Sequence, residues 1–415
     1  MTHRHEDGRS GEPGPVVPDG SSGRDPGRPA LARLVGDVSD FASRTWGREP
    51  VLRPSGGPDA FRDLLSVDAV DELVAERGLR TPFVRVAKAG STLPDRAFTA
   101  PGGSGAGIGD QVSDDKLSAL FTAGSTIVLQ GLHRVWPPLI SFCQQLAADL
   151  GHPVQANAYV TPPQNRGFDD HYDVHDVFVL QIAGRKRWSI HAPVLMAPLR
   201  DQPWTDHREE VQRAAQHEPV LETVLEPGDM LYLPRGYLHS ATALGGVSLH
   251  LTLGVHSWTR YAVAEELVAL ALERLTDDED VRESLPLGTT LAPDDIDADL
   301  VAKRLQEILG SMDPAALAER LRARRRSTQR AAPLGPLSQH ALASSLIDGT
   351  VLRLRAHLDA TLTEAKLVSR AGTVSVAGVA EQVLQRLLSG QGVTAADLGH
   401  ETARRLVETG LVVAG

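Results

Sequence analysis

Residues 168–181 read FDDHYDVHDVFVLQ, and this stretch decides how the chain is interpreted. It places His171 two residues before Asp173 and continues into an apolar run that is typical of a buried strand. In an extended segment, residues i and i+2 project to the same side, so His171 and Asp173 can face one ion while Tyr172 points the other way. A third ligand must then come from a neighbouring strand.

A second stretch, residues 228–241 with the sequence GDMLYLPRGYLHSA, offers that ligand in His239. Residues 226–229 predict a turn, residues 230–233 predict a short apolar strand, and a further turn follows. A histidine that comes directly after such a strand and turn is held by rigid elements, which suits a metal ligand. Two imidazoles and one carboxylate are the ligand set of a non-haem iron(II) site that leaves positions open for a co-substrate and dioxygen.

Length and composition exclude several classes of protein. The chain has 415 residues, which is enough for two or three domains. Its net charge of -11 argues against a general nucleic-acid-binding surface. Cys143 is the single cysteine, so a disulfide framework and zinc sites built from several thiolates are excluded, and a reducing cytosol is the simplest location. Without a membrane-spanning run or a secretion signal, we expect a cytoplasmic protein with no membrane partner.

Composition and periodicity divide the chain into four parts and predict an α+β fold. Residues 1–30 are rich in Gly, Pro, Ser and charged residues and predict a disordered tail. Residues 31–258 begin with helices and continue with strands separated by turns, which predicts an antiparallel barrel. Residues 259–345 have helical periodicity, with helices expected at 262–275 and 299–309. Residues 346–415 mix helices with turns and a final strand, which predicts a small winged-helix domain.

Within the barrel region we predict a helix pair around 61–76, a helix at 137–150 and a series of strands. The strands are expected at 83–86, within 125–132, and at 154–160, 174–182, 187–191, 222–224, 230–233 and 247–255. The glycine-rich residues 102–109 lack the Lys and Ser/Thr of a P-loop and predict a surface loop. The basic cluster Arg322, Arg324, Arg325 and Arg326 is interpreted as a solvated helix face rather than a site for nucleic acid.

Several motifs occur in an order that points to a known family. The first is the segment from Asn157 to Asp173, which includes Tyr159. The others are residues 178–181 (FVLQ), residues 184–188 (GRKRW) and residues 234–241 (PRGYLHSA). From about Leu31 onward, the chain resembles the JmjC-type ribosomal oxygenases, also called the cupin-4 family. The resemblance implies a double-stranded β-helix of the cupin or jelly-roll type, a helical dimerisation region that forms a homodimer, and a C-terminal winged helix.

The resemblance also implies a chemistry. Iron(II) would be bound by His171, Asp173 and His239, 2-oxoglutarate would chelate the metal, and dioxygen would be used to hydroxylate a protein side chain. Lys186 falls on the basic position that pairs with the distal carboxylate of 2-oxoglutarate, and an ammonium suits a carboxylate that is buried in a barrel. Strand alternation turns the neighbouring Arg185 and Arg187 to the opposite face.

Three more residues are assigned to the pocket for co-substrate and substrate. Asn157 and Tyr159 share one strand face and fall where the family places groups that line this pocket. Thr252, on the strand after the distal histidine, is a candidate hydrogen-bond partner of the co-substrate. His250 is interpreted as structural. His175 could compete as a metal ligand, but the family has an acidic or neutral residue thereabouts, so we interpret it as facing the substrate or supporting the ligands.

The sequence leaves the substrate open. The resemblance favours Arg or His of a ribosomal protein, and the alternatives are a peptide natural product, another protein, or a non-catalytic cupin scaffold whose winged helix recognises DNA. Asp169 and Asp170 stand where relatives often have a proline, and their charge favours a cationic target. Lys186 favours histidine as the target instead. A lysine at this position resembles the eukaryotic branch of the family, which hydroxylates histidine, whereas the bacterial branch that hydroxylates arginine has an arginine there.

Overall fold

The structure is a computed structural model that describes residues 27–54, 56–88, 90–328 and 330–415. These residues form two compact units, which divide between His256 and Ser257. The tail predicted at residues 1–30 lies, up to residue 26, outside the described residues. In the described ranges no helix is both long enough and apolar enough to cross a membrane.

The first unit combines helices with a large sheet. Its helices are α1 (Pro29–Val35), α2 (Val38–Asp40), α3 (Val67–Glu76), α4 (Asp114–Thr122), α5 (Leu132–Val135), α6 (Pro137–Leu150) and α7 (Arg208–Ala214). A π-helical turn at Phe41–Thr45 and 3-10 turns at Asp95–Ala97 and Trp204–His207 complete them. Its strands are β1 (Val51–Arg53), β2 (Val84–Lys88), β3 (Ser91–Thr92), β4 (Thr99–Ala100), β5 (Gln111–Val112), β6 (Thr126–Leu129), β7 (Val154–Thr161), β8 (Asp176–His191), β9 (Leu221–Leu225), β10 (Met230–Leu233) and β11 (Leu238–Val255).

The helix predicted at 137–150 is confirmed as α6. It begins with two prolines, whose missing N–H groups cost nothing in a first turn, and it ends at Gly151 with a left-handed φ of 73°. The helix pair predicted around 61–76 is wrong, because residues 58–64 form turns and only α3 is a helix. In those turns the N–H of Leu64 bonds to the carbonyl of Phe61, three residues back, rather than four.

Nine strands form one sheet in the order β1-β10-β8-β11-β7-β6-β2-β3, with β9 also paired to β8. Each pairing in this sheet is antiparallel, as predicted. β8 pairs with β10 through residues 177–180 and with β9 through residues 186–190, so one strand joins two parts of the sheet. β11 pairs with β8 and, through residues 248–255, with β7.

Two strands are longer than the sequence predicted. The strands expected at 174–182 and 187–191 are the single strand β8, and the strand expected at 247–255 extends back to Leu238. Gly184 allows this continuity. It has a φ of +63°, and a Cβ at this position would lie 2.0 Å from the carbonyl oxygen of Val247. Only glycine fits, and the register with β11 shifts there, since Ala183 pairs with Leu249 and Arg185 with Leu244.

Both faces of the first part of β8 are buried from Asp176 to Gln181, which explains the apolar run at residues 177–180. Phe178 lies in the core between the sheet and the helices, with ring centroids 5.9 Å from Phe41 and 5.0 Å from Tyr232. Val177 and Val179 instead contribute to a separate cluster with Trp188 and Ile190. The second face of β8 is therefore lined with apolar side chains where the candidate site lies.

The second unit begins with helices and ends in a module with its own core. Its helices are α8 (Arg260–Leu275), α9 (Glu279–Arg282), α10 (Ala298–Gly310), α11 (Pro314–Thr328), α12 (Pro336–Ser344), α13 (Glu381–Leu388), α14 (Ala395–Leu398) and α15 (His400–Glu408). Its strands are β12 (Val351–Leu354), β13 (Thr361–Thr363), β14 (Lys366–Ser369), β15 (Gly372–Ser375), β16 (Val393–Thr394) and β17 (Val412–Ala414). The helices predicted at 262–275 and 299–309 are confirmed as α8 and α10.

The module is built on two small antiparallel sheets. β12 pairs with β16 and β17 in one, and β14 pairs with β13 and β15 in the other. Their buried side chains share one core with α13 and α15, including Leu352, Leu387 and Leu406.

The basic cluster lies on α11 and is paired with carboxylates. Three of its guanidinium groups each lie within hydrogen-bond distance of a different acidic side chain, namely Arg324 with Glu266 (2.9 Å), Arg325 with Asp359 (2.7 Å) and Arg326 with Glu319 (2.7 Å). The arginines therefore form a charge network rather than a free basic surface.

Candidate metal centre and its cavities

His171, Asp173 and His239 lie together, with one possible ligand atom from each within 4.8 Å of the others. His171 and Asp173 are in the segment just before β8 rather than in a regular strand, and an isolated β-bridge joins His171 to His239. His239 is the second residue of β11, where its Nε2 lies 3.8 Å from Oδ2 of Asp173. Tyr172 points away as predicted, since it is buried and its hydroxyl donates to the carbonyl of Gln202 at 3.0 Å.

Backbone carbonyls orient both imidazoles. Nδ1 of His171 donates to the carbonyl of Asp169 at 2.7 Å, and Nδ1 of His239 donates to the carbonyl of Tyr237 at 3.1 Å. A carbonyl oxygen only accepts, so the proton of each neutral ring is assigned to Nδ1 and the lone pair to Nε2. The two Nε2 atoms and the carboxylate are the donor set of a divalent transition metal, so the residues present fit such an ion.

The charges of His239 and Asp173 are also those that a metal requires. Burial, with the nearby His171, lowers the pKa of His239 to about 4. Burial alone would raise the pKa of Asp173, but the imidazoles of His175, His239 and His171 outweigh it and bring this pKa below its ordinary value. Near neutral pH, His239 is therefore neutral and Asp173 is ionised, and these are the forms that bind a metal.

The triad faces a cavity of about 230 Å³, which we call the first cavity. Lys186 is in its lining and is buried, with 3% of the residue exposed. Its Nζ donates to Oγ1 of Thr161 at 3.2 Å and lies 5.9 Å from the ring centre of Trp188. Burial lowers the pKa of Lys186 to about 7. Among the described residues it has no carboxylate partner, so the cavity holds an ammonium that an anion would stabilise.

Alternation along β8 is confirmed on both sides of Lys186. Arg185 and Arg187 are exposed, and their nearest carboxylates are those of Glu226 at 3.8 Å and Glu222 at 3.9 Å. Neither arginine lines the first cavity.

His250, interpreted from the sequence as structural, also lines the first cavity. Its ring stacks on Tyr159 with centroids 4.9 Å apart and meets the Trp188 ring edge-on at 5.4 Å. Nδ1 of His250 and Nε1 of Trp188 are buried, and no group in the described part of the chain forms a hydrogen bond with them. Burial, with the charge of Lys186, holds the pKa of His250 well below its ordinary value. Two unpaired polar atoms beside an ammonium fit a small dicarboxylate such as 2-oxoglutarate.

The three predicted pocket residues are divided between two cavities. Tyr159 and Thr252 line the first cavity. Asn157 does not. It lines a second cavity of about 360 Å³, where its Oδ1 accepts the N–H of Gly131 at 3.0 Å. His175 lines the same second cavity and stacks on His256 at 5.2 Å, so it stands apart from the three grouped ligands.

Sequence reasoning did not assign several other residues that line the first cavity, among them Arg85, Phe168 and Trp204. Arg85, from β2, lies with its guanidinium carbon 6.0 Å from the ring centre of Phe168. Phe168 and Trp204 lie 6.0 and 6.3 Å from the His171 ring. A cation in the apolar strand at 83–86 was an available signal for Arg85, whereas Trp204 comes from a 3-10 turn that no pattern predicted.

Comparisons with known proteins agree with this architecture. The JmjC domain family matches residues 137–263. Ribosomal oxygenase 1 of Rattus norvegicus is 36% identical over 256 residues, which are 59% of this chain and 40% of that protein. The bifunctional lysine-specific demethylase and histidyl-hydroxylase NO66 of Drosophila erecta is 40% identical over 275 residues, 63% of this chain and 39% of that protein. This chain thus covers less than half the length of these curated relatives.

Solved structures of the Escherichia coli ribosomal oxygenase YcfD have a similar fold. One X-ray structure has a TM-score of 0.55 at 18% identity and covers 92% of this chain and 99% of that chain. Another, in complex with cobalt and 2-oxoglutarate, has a TM-score of 0.53 at 19% identity and covers 92% and 98%. At such identity the likeness concerns the fold. The predicted cupin fold of the JmjC type, with its large antiparallel sheet, is confirmed.

Proposed function

Because the chain carries a JmjC domain related to those of the ribosomal oxygenases, we propose that it is an iron(II)- and 2-oxoglutarate-dependent dioxygenase that hydroxylates a protein side chain. The substrate class we put forward is Arg or His of a ribosomal protein. One observation carries the proposal: two Nε2 atoms and a carboxylate face one another in the same cavity as a buried ammonium for which the described residues offer no counter-ion.

In this proposal His171, Asp173 and His239 hold the metal. Iron bound there supplies the activation of dioxygen and the oxidation of 2-oxoglutarate to succinate and carbon dioxide. Lys186 pairs with the distal carboxylate of 2-oxoglutarate, and its burial strengthens that pairing because little water competes.

The other lining residues bind, orient and exclude water. Trp188 offers its unpaired N–H to the co-substrate, His250 offers its unpaired Nδ1, and Thr252 offers its hydroxyl. Val177 and Val179 keep the inner part of the first cavity apolar. These contacts place the co-substrate in a fixed orientation relative to the triad, which is the protein's main contribution to such a reaction.

The charge beside the triad does not single out a cationic target. Arg166 lies 2.6 Å from the carboxylate of Asp170 and 3.9 Å from that of Asp169. The pair of aspartates that favoured a cationic side chain is therefore partly neutralised by this arginine. We keep both Arg and His as proposed targets.

We also propose a homodimer that forms through α8. Tyr261, Val268 and Leu272 are 54%, 47% and 53% exposed, and their spacing of seven and four residues places them on one side of this helix. A Leu272→Glu variant should then shift the mass measured by light scattering from that of two chains to that of one. A wild-type protein that stays monomeric at high concentration contradicts this part of the proposal.

The remaining assignments are proposals of the same kind. We propose boundaries at 31–258, 259–345 and 346–415, a winged helix in the last part that docks substrate or supports the fold, and a cytoplasmic location. The paired arginines of α11 support the view that direct nucleic-acid binding is not a function of the chain.

Turnover of 2-oxoglutarate tests the central proposal. Protein reconstituted with iron(II) is assayed under air for succinate, with and without an extract of ribosomal proteins. Succinate formation should rise with the extract, disappear in His171→Ala and persist in the matched control His217→Ala, an exposed histidine outside the cavity. Mass spectrometry should then find one added oxygen atom on a protein of the extract.

The same assay separates the alternatives. Turnover that the extract does not change favours a peptide natural product or another protein as the substrate. Absence of turnover by protein that binds iron favours the non-catalytic scaffold.

A further inference from the structure

The second cavity lies directly beside the first. Four residues line both cavities and form their common wall, namely Arg85, Tyr159, Asp173 and Thr252. The rest of the second cavity is mostly polar, with Gln130, Gln155, Asn157 and His175 in its lining. Lys186 lines the first cavity alone. A group in the second cavity therefore reaches the triad past Asp173, by a different approach from a co-substrate held at Lys186.

Arg85 is the cation of the common wall, and its charge helps to lower the pKa of Asp173 in the same wall. Its Nε is buried and has no hydrogen-bond partner among the described residues. No carboxylate of the described part of the chain forms an ion pair with it, although the ring of Phe168 lies 6.0 Å away. A buried guanidinium donor without an acceptor is unfavourable, and a planar oxygen acceptor is the group that matches its geometry.

The opposite side of the second cavity is arranged around amide groups. Oδ1 of Asn157 is taken up by the N–H of Gly131, which leaves its NH₂ group to donate elsewhere. Nε2 of Gln155 lies 3.4 Å from Nε2 of His175. Gly254 makes room for that pair, because a Cβ there would lie 2.5 Å from Cδ2 of His175 and 3.0 Å from Nε2 of Gln155.

We propose that the second cavity binds a planar carbonyl-oxygen acceptor of the substrate, either a carboxylate or a carboxamide, with Arg85 as its donor. The inference rests on the proposed function in one respect, that the reaction takes place at the triad. Asp173 is the acidic residue of this lining, and a metal ion on it offsets its charge. Binding of a carboxylate in the second cavity should therefore strengthen when the triad holds a divalent metal.

Fluorine NMR with small probes tests this directly. Trifluoroacetate represents the carboxylate, trifluoroacetamide the carboxamide, and trifluoroethylammonium a cation that should not bind. The whole protein is loaded with zinc(II) and saturated with 2-oxoglutarate, and the transverse relaxation of each probe is titrated. Wild type should bind one or both acceptor probes, and the preferred probe identifies the acceptor. Trifluoroacetate could also bind at Lys186 in the first cavity. Binding there is recognised because 2-oxoglutarate displaces the probe.

Three variants decide the outcome. Arg85→Gln should weaken probe binding at least fivefold. Gly254→Ala keeps Arg85 but pushes the His175 and Gln155 pair into the cavity, so it should weaken binding even if Arg85→Gln fails to fold. Arg187→Gln removes an exposed arginine of β8 outside both cavities and should change nothing.

Unchanged probe binding in a folded Arg85→Gln or Gly254→Ala protein overturns the proposal, as does a wild type that binds neither acceptor probe. The experiment requires no turnover. If the probe binds in an Arg85-dependent way but the protein has no oxygenase activity, the proposed function is contradicted and the second site is not. If the protein turns over 2-oxoglutarate but binds no acceptor probe, the second site is contradicted and the proposed function is not.

Discussion

The backbones of His171 and His239 bond to each other in both directions. The N–H of His239 donates to the carbonyl of His171 at 2.8 Å, and the N–H of His171 donates to the carbonyl of His239 at 3.3 Å. Their ring centroids lie 4.4 Å apart as a result. Backbone pairing brings these imidazoles together. Substitutions elsewhere in the cavity should therefore affect the binding of ligands more than the spacing of the triad.

Lys186 should make the affinity for 2-oxoglutarate depend on pH. Burial lowers the pKa of its ammonium to about 7, and a bound carboxylate favours the charged form. Above pH 7, binding must take up a proton, so the dissociation constant should rise with pH by up to about tenfold per unit. Lys186→Arg stays charged and should give a flat profile. Calorimetric titrations of zinc-loaded protein from pH 6 to 9 measure this, and a flat wild-type profile contradicts it.

The same lysine should destabilise the ligand-free protein at neutral pH. Its pKa is about 7 in the folded chain and about 10.4 in an unfolded one. Between those values the unfolded chain binds more protons, so the contribution of Lys186 to the free energy of unfolding increases from pH 7 to pH 10 and is smallest below pH 7. Lys186→Met should therefore be more stable than wild type at pH 6 to 7, with a difference that shrinks toward pH 10. Thermal melts across this range would show the opposite trend if the lysine were stabilising.

Gly184→Ala should damage the bend in β8. The left-handed φ and the carbonyl of Val247 leave no room for a Cβ, so we expect a loss of at least about 1–3 kcal/mol in the free energy of unfolding. Lys186 is two residues away, so the affinity for 2-oxoglutarate should fall as well. Urea denaturation gives the stability. Gly246→Ala is the control because a Cβ there meets nothing within 4 Å, and equal losses in both variants would refute the explanation.

His250→Phe should separate co-substrate binding from metal binding. The variant keeps an aromatic ring to stack on Tyr159 but removes the buried Nδ1. Loss of one hydrogen bond of about 1–1.5 kcal/mol predicts an affinity for 2-oxoglutarate lower by roughly tenfold. The affinity for manganese(II), measured by its electron paramagnetic resonance signal, should stay the same. The assigned role is incorrect if 2-oxoglutarate binds both proteins equally.

The triad and Lys186 could be predicted because their geometry is local. The two-residue spacing of His171 and Asp173, the strand and turn before His239, and alternation around Lys186 each involve only a few neighbouring residues. Arg85 is a cation in an apolar strand, which is a local signal, but its place at the site could not be predicted in this way. It reaches the site through the pairing of β2 with β6 and of β6 with β7, and local patterns do not specify the register between distant strands.

The lengths of β8 and β11 were also beyond local patterns. Residues 183–186 contain a glycine and two cationic residues, so they resembled a turn between two strands. The ladder continues through them because the backbone of β11 lies alongside. The sequence of β8 alone carries no information about this pairing. Trp204 is similar, since a short 3-10 turn positions it and its own neighbours carry no periodic signal.

The ladder between β8 and β11 constrains where the chain tolerates inserted residues. One inserted residue in a regular part of these strands would reverse the facing of every side chain beyond it, and His239, Lys186, His250 and Thr252 all depend on that register. The pairing is already irregular between Leu244 and His250, where residues 245–247 are exposed. Length variation among homologous chains should therefore concentrate at residues 245–247, while the paired parts of β8 and β11 keep a fixed length.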